Sequence, residues 1–175
     1  APDEKTTATQ PFPTKPPAFD RQGLLDDDVI DFTPELKAQA LQVLKQFDRG
    51  PLFTPPSLKG TVQMPGNVGG ADWGGAAVDP STATLFVPSL TSPIIDQLVK
   101  GDPARGNMAY RRGGVGNLPT LDGLPLYKPP YSRVTAYDLN TGTIKWQVPI
   151  GDGPRNHPLL KELRLGPLGN AQRGN

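Results

Sequence analysis

The stretch GNVGGADWGGAAVDPSTATLFVP, Gly66 to Pro88, sets one acid and one indole between glycine pairs. Asp72 and Trp73 stand between Gly69-Gly70 and Gly74-Gly75. A carboxylate accepts hydrogen bonds and orients cations, and an indole offers a flat apolar wall. Glycine near a strand has nothing to pack and much backbone entropy to lose. Its use on both flanks points to close approach of something, either a flat ligand or a neighbouring strand. Read structurally, Trp73 packs between sheets and Asp72 forms a turn. Other groups carry less chemistry. His157, the only histidine, lies in GPRNHPLL, and a zinc site needs further ligands of its kind. It reads as a structural or exposed side chain. Asp26-Asp27-Asp28 lacks the spaced ligands and glycine of a calcium loop and reads as a solvated acidic turn. The arginine- and glycine-rich ARGNMAYRRGGVGN (104–117) reads as a solvent loop, with an anion-binding lid as the alternative. Its GGVGN lacks the spacing of a nucleotide fingerprint. No catalytic residue and no metal ligand is assigned within the chain.

Composition limits what these residues can serve. The 175 residues suit one domain or a piece of a larger one. The net charge is +1 and scattered, so nothing points to nucleic acid or a membrane surface. Without cysteine there are no disulfides and no thiolate metal sites. No apolar run approaches the roughly 20 residues of a membrane span. The chain opens on Ala-Pro-Asp with no visible signal peptide, as a mature product or an internal segment would. Pro and Gly make up 42 residues, so about half of the chain reads as irregular loop.

The elements that position the glycine-flanked pair follow from local patterns. Residues 1–32 carry five prolines and form an extended, weakly packed segment. A helix spans 33–48: Thr33 caps it, Pro34 fits its first turn, and Leu36, Ala40, Leu41, Val43, Leu44 and Phe47 form its stripe. Gly50-Pro51 ends it. GTVQMPG (60–66) reads as one strand. WGGAAVD (73–79), the turn PSTA and TLFVPS (84–89) form a hairpin. Residues 90–131 read as a long connection. SRVTAYD (132–138), the turn LNTG and TIKWQVP (143–149) form a second hairpin, with Gly142 at its left-handed position. Residues 150–175 read as a loop tail.

The hairpins are related. AVDPSTATLFV (77–87) and AYDLNTGTIKW (136–146) share Ala, Asp, Thr and Thr at equivalent positions, 59 residues apart. Together they give four antiparallel strands, the size of one propeller blade. A lone four-stranded sheet has two edges and two open faces, so the chain is expected to belong to something larger and not to fold cooperatively by itself.

AYDLNTGTIKW resembles the tryptophan-docking motif of the quinoprotein dehydrogenases, A-x-D-x-x-T-G-x-x-x-W, at Ala136, Asp138, Thr141, Gly142 and Trp146. TQPFPTKPPAF (9–19), FTPPSLKGTVQMPGNVGGADWGGAAVDP (53–80) and LPLYKPPYSRVTAYDLNTGTIKWQVPIGDGPRNHP (124–158) are similar to the membrane-bound glucose dehydrogenase branch. The resemblance fades in the insertion 95–118 and near the end of the chain. It implies an all-β fold, part of an eight-bladed quinoprotein propeller, of which this chain holds about one blade, a helix and long loops. Trp146 would wedge between blades. The resemblance also implies pyrroloquinoline quinone (PQQ) with Ca²⁺ or Mg²⁺, whose ligands and catalytic carboxylate would lie outside this segment. A sugar or alcohol would be oxidised, with electrons passing to ubiquinone or another acceptor on the periplasmic side. In alcohol-oxidising relatives a Gly-Gly-x-Asn-Trp stretch lines the cofactor pocket. The matching positions here are Gly69, Gly70, Asp72 and Trp73, so Gly70, Asp72, Trp73 and Gly74 become the cofactor-binding candidates, with Asp in place of Asn. The alternatives are a non-catalytic propeller scaffold built from the same repeats, or a truncated product inactive by itself.

Overall fold

A computed structural model describes residue 9, residues 11–71 and residues 73–171. The first regular element is a short 3-10 turn at Asp26–Asp28. Helix α1, Pro34–Leu44, starts where the Thr33 hydroxyl accepts the Leu36 N–H at 3.2 Å. Leu36, Ala40 and Leu44 recur every four residues and form its buried stripe. The helix closes earlier than the pattern to 48 predicts. The Gln46 and Phe47 N–H groups tighten onto Val43 and Leu44 carbonyls, three residues back.

Strands follow as β1 (Thr61–Gln63), β2 (Ala77–Asp79), β3 (Thr84–Leu90), β4 (Ile94–Lys100), β5 (Tyr110–Asn117), β6 (Thr120–Leu121), β7 (Leu124–Pro125), β8 (Ser132–Asp138) and β9 (Thr143–Pro149). The four-stranded sheet runs β2-β3-β8-β9, antiparallel throughout. The two related hairpins join through β3 and β8, which pair along their full length from Thr84↔Asp138 to Leu90↔Ser132. This is the blade expected from the repeat. The chain is mostly antiparallel strand with one α-helix, a partial propeller.

Three elements differ from the sequence reading. β2 is only three residues long, because Trp73 to Ala76 stay out of the ladder. The 90–131 connection contains β4 to β7 and builds a second sheet, β1-β4-β5. The segment 60–66 therefore joins that sheet rather than the blade, and pairs over three residues only. ARGNMAYRRGGVGN is largely the exposed edge strand β5.

The main core lies beside the blade rather than within it. Leu24, Ile30, Leu44, Leu124, Leu126 and Leu160 have no exposed surface and form one cluster that includes α1 residues. The tail takes part. It carries 3-10 turns at Gly153–Asn156 and Lys161–Leu163, buries Leu160 and Leu168, and returns to the blade where the Tyr131 N–H meets the Leu168 carbonyl at 2.8 Å.

Blade faces differ. Arg133, Thr135 and Tyr137 alternate onto one face, and the proline-rich segment covers it. The Tyr137 hydroxyl donates to the Pro17 carbonyl at 2.6 Å, and Arg133 and Gln147 donate to the Phe19 carbonyl. On the other face Phe86, Ala136 and Trp146 stand in register, as do Pro88, Val134 and Val148. There the tilted Phe86 ring stands 5.8 Å from the Trp146 ring, and Trp146 remains 43% exposed.

Candidate functional site

The loop between β1 and β2 carries the glycine-flanked pair, and its geometry separates the glycines by cause. Asp72 lies outside the described residues. Gly69 has φ +75° and Gly75 φ +66°, conformations that side chains disfavour, so turn geometry accounts for both. Gly70 lies against the end of β3. The Leu90 N–H donates to its carbonyl at 2.8 Å, and a Cβ on Gly70 would stand 2.7 Å from the Leu90 carbonyl oxygen. Close strand packing thus accounts for Gly70. Gly74 has neither cause: its backbone is ordinary and a Cβ there would meet nothing among the described residues within 4 Å. Beside it the Trp73 side chain is 98% exposed. A bare indole is an unusual expense of apolar surface in water. The loop therefore presents one flat wall next to open space.

A buried ionic cluster anchors the loop from behind. The Asp20 carboxylate would lie 3.7 Å from a Gly70 Cβ. It pairs with the Arg133 guanidinium at 2.7 Å, the two side chains 0% and 3% exposed. The Thr91 hydroxyl donates to Asp20 at 2.8 Å and accepts from Arg133. Arg133 also donates to the Pro130 carbonyl at 2.6 Å. Arg21 donates to the Lys128 carbonyl and stands 5.8 Å over the Tyr127 ring; burial holds its pKa below the ordinary value. Burial pushes the Tyr127 and Tyr131 phenols up. The Tyr127 hydroxyl finds a partner in the Thr91 carbonyl at 3.0 Å. This cluster fixes the end of β3, and through Leu90 it fixes Gly70.

The remaining candidates take structural places. His157 accepts the Leu159 N–H at Nδ1 and bonds the Asp122 carbonyl through Nε2 at 2.8 Å, which staples two loops. Asp28 accepts the Leu25 N–H and Asp26 pairs with Arg49, so the acidic run caps its own turn. Among the described residues no group of three or more His, Cys, Asp or Glu could hold a metal ion.

The sequence profile for PQQ-dependent enzymes, described as glucose/ethanol/alcohol dehydrogenase, β-propeller domain, matches residues 1–175. The chain belongs to this family. Within this quinoprotein family it is of the membrane-bound glucose dehydrogenase-like type. It is 28% identical to the quinate/shikimate dehydrogenase (quinone) of Acinetobacter baylyi, over 96% of this chain and 23% of that protein. It is 28% identical to the glycerol dehydrogenase large subunit of Gluconobacter oxydans, over 90% of this chain and 25% of that one. The quinoprotein glucose dehydrogenase of Gluconobacter oxydans is 33% identical over 54% of this chain and 15% of that protein. The chain thus spans about a quarter or less of the length of these relatives. No solved structure matches it. No helix among the described residues is long and apolar enough to cross a membrane.

The family uses PQQ with a divalent cation. The residues present fit one wall of a site for that planar group. Trp73 supplies a flat face and Gly74 leaves room beside it. The stretch 66–76 contains no Lys or Arg, so the carboxylates of the group would be met from elsewhere.

Proposed function

We propose that the full-length protein is a PQQ-dependent dehydrogenase that oxidises a hydroxyl of a sugar or other polyol and delivers the electrons to a quinone. The observation that carries this reading is the bare Trp73 indole beside the open Gly74, in a chain that matches the family along its whole length. The relatives support the substrate class, because quinate, glycerol and glucose all carry several hydroxyls. Oxidation takes a hydride from the carbinol carbon and a proton from its oxygen, leaving a carbonyl. Two electrons and two protons then convert an acceptor quinone to the quinol. PQQ, when bound, supplies the two-electron acceptor for the substrate.

The residues of this chain bind and orient rather than react. Trp73 would cover one face of the planar group, and Gly70 and Gly74 would keep the backbone near it. Asp72 would accept a hydrogen bond or orient a cation brought by another blade. The reaction is placed on the periplasmic side, with any tether to the inner membrane supplied outside this segment.

The test replaces Asp72 with Ala and, separately, Trp73 with Ala in the full-length apo-protein, followed by titration with PQQ and Ca²⁺ or Mg²⁺. Loss of one wall or one charge-assisted hydrogen bond should weaken reconstitution by about tenfold or more. Unchanged reconstitution and unchanged turnover in both variants would return these residues to turn and blade-packing roles.

A further inference from the structure

The FTPPS loop builds a second hollow that the dehydrogenase reading leaves unused. A turn from Pro51 to Thr54 closes through the Thr54 N–H and the Pro51 carbonyl at 3.1 Å. Its third position, where glycine is favoured, holds Phe53 with φ +68°. A bulky side chain in that region is strained, and such strain gathers at ligand sites. The chain's own packing gives little return for it, since Phe53 is 68% exposed. Its aromatic neighbour among the described residues is Phe12, edge-on at 5.9 Å and itself half exposed.

Phe53 forms a wall of a pocket of about 370 Å³, within the range of small-ligand sites. Leu52, Pro56, Val62 and Met64 make it largely apolar. Its polar groups are few and mostly spoken for. The Thr54 hydroxyl donates to the Pro51 carbonyl at 2.7 Å. Asp96 is held by Arg112 at 2.9 Å. The Gln63 side-chain amide, at the exposed position of β1, also lines the pocket and carries N–H donors. A sugar would find too few partners there, and an anion would meet a carboxylate. A flat, uncharged ring with carbonyl oxygens fits: its faces meet Phe53 and the aliphatic wall, and one oxygen accepts from Gln63.

We propose that this pocket binds the ring of the quinone electron acceptor. The inference rests on the dehydrogenase reading for the identity of the ring, while the pocket itself stands on its own geometry. Met64 and Pro65 of its wall continue directly into the loop that carries Trp73, so one segment serves both places.

The experiment measures binding of ubiquinone-1 to the full-length protein by equilibrium dialysis, with Phe53→Gly and Phe53→Tyr as variants. Glycine removes the ring and relieves the left-handed strain, so this variant keeps its fold. Phe53→Gly should bind ubiquinone-1 about tenfold more weakly, and Phe53→Tyr about as well as the parent. With PQQ and Ca²⁺ present, turnover with the water-soluble acceptor phenazine methosulfate should be the same in all three. No binding by the parent, or equal binding by Phe53→Gly, overturns the proposal. Absence of dye-linked turnover in the parent would instead overturn the dehydrogenase reading, and the dialysis result would still decide the pocket.

Discussion

Asp20 and Arg133 form the most consequential pair of single residues outside the loop. Both charges are out of water, so each depends on the other. Asp20→Ala leaves a buried guanidinium without its carboxylate and should cost about 3–5 kcal/mol in chemical denaturation of the full-length protein. Replacing both with apolar residues should recover much of that loss. The sequence carries no sign of this pair. Asp20 falls in a proline-rich segment that reads as loosely packed, and its partner is more than a hundred positions away, as the Arg133 bond to the Phe19 carbonyl shows. The shared Asp and Thr positions of the two hairpins, by contrast, were legible and have a common cause. Asp79 accepts from Ser81 and Thr82, and Asp138 accepts from the Asn140 and Thr141 N–H groups, so each acid pins its own turn. Hydrogen bonds from Thr82 and Ser81 hold the Asp79 pKa down to about 2. A depressed carboxylate stabilises the fold above its unfolded pKa and loses that contribution as pH falls through the folded value. The Asp79 contribution should therefore be complete above about pH 4 and fade toward pH 2. A carboxyl titration by NMR checks this, and a midpoint near the ordinary value would contradict the turn account.

The hairpins stood out in sequence because their strands alternate and their turns use the residues that turns require. β8 and β9 fall on their expected spans. Gly142 adopts φ +65°, and a Cβ there would meet only Lys15 at 3.8 Å. The cost of Gly142→Ala is thus conformational rather than steric, about 1–2 kcal/mol, measurable as a shift in denaturation midpoint at unchanged slope. A larger loss with a changed slope would mean that the turn packs against something else. The second sheet was harder to read. IIDQLVK in β4 carried a usable β-branched signal inside a stretch dominated by Pro, Gly and Arg. YRRGGVGN in β5 carried none, because the strand is exposed along its length and exists through pairing with β4. The candidate loop was legible as a glycine-flanked pair but not glycine by glycine. Only the structure separates Gly70, crowded by Leu90, from Gly74, which faces open space.

At the scale of the molecule, one blade face is covered by the proline-rich segment and the other presents Phe86, Pro88, Val134, Trp146 and Val148. An open apolar face of that kind suits a neighbouring blade. Trp146→Ala should therefore destabilise the full-length protein by about 3 kcal/mol or more in chemical denaturation. A loss below about 1 kcal/mol would mean that no sheet docks there. The 175-residue chain by itself should not turn over substrate, since it spans about a quarter of its relatives. The most direct test of the account is reconstitution of the full-length protein, stripped of cofactor and assayed with glucose, glycerol and quinate through phenazine methosulfate. The account predicts no turnover in the apo-protein, and turnover of at least one of these polyols once PQQ is added with Ca²⁺ or Mg²⁺. Binding of neither PQQ nor metal, with no turnover after their addition, would contradict it.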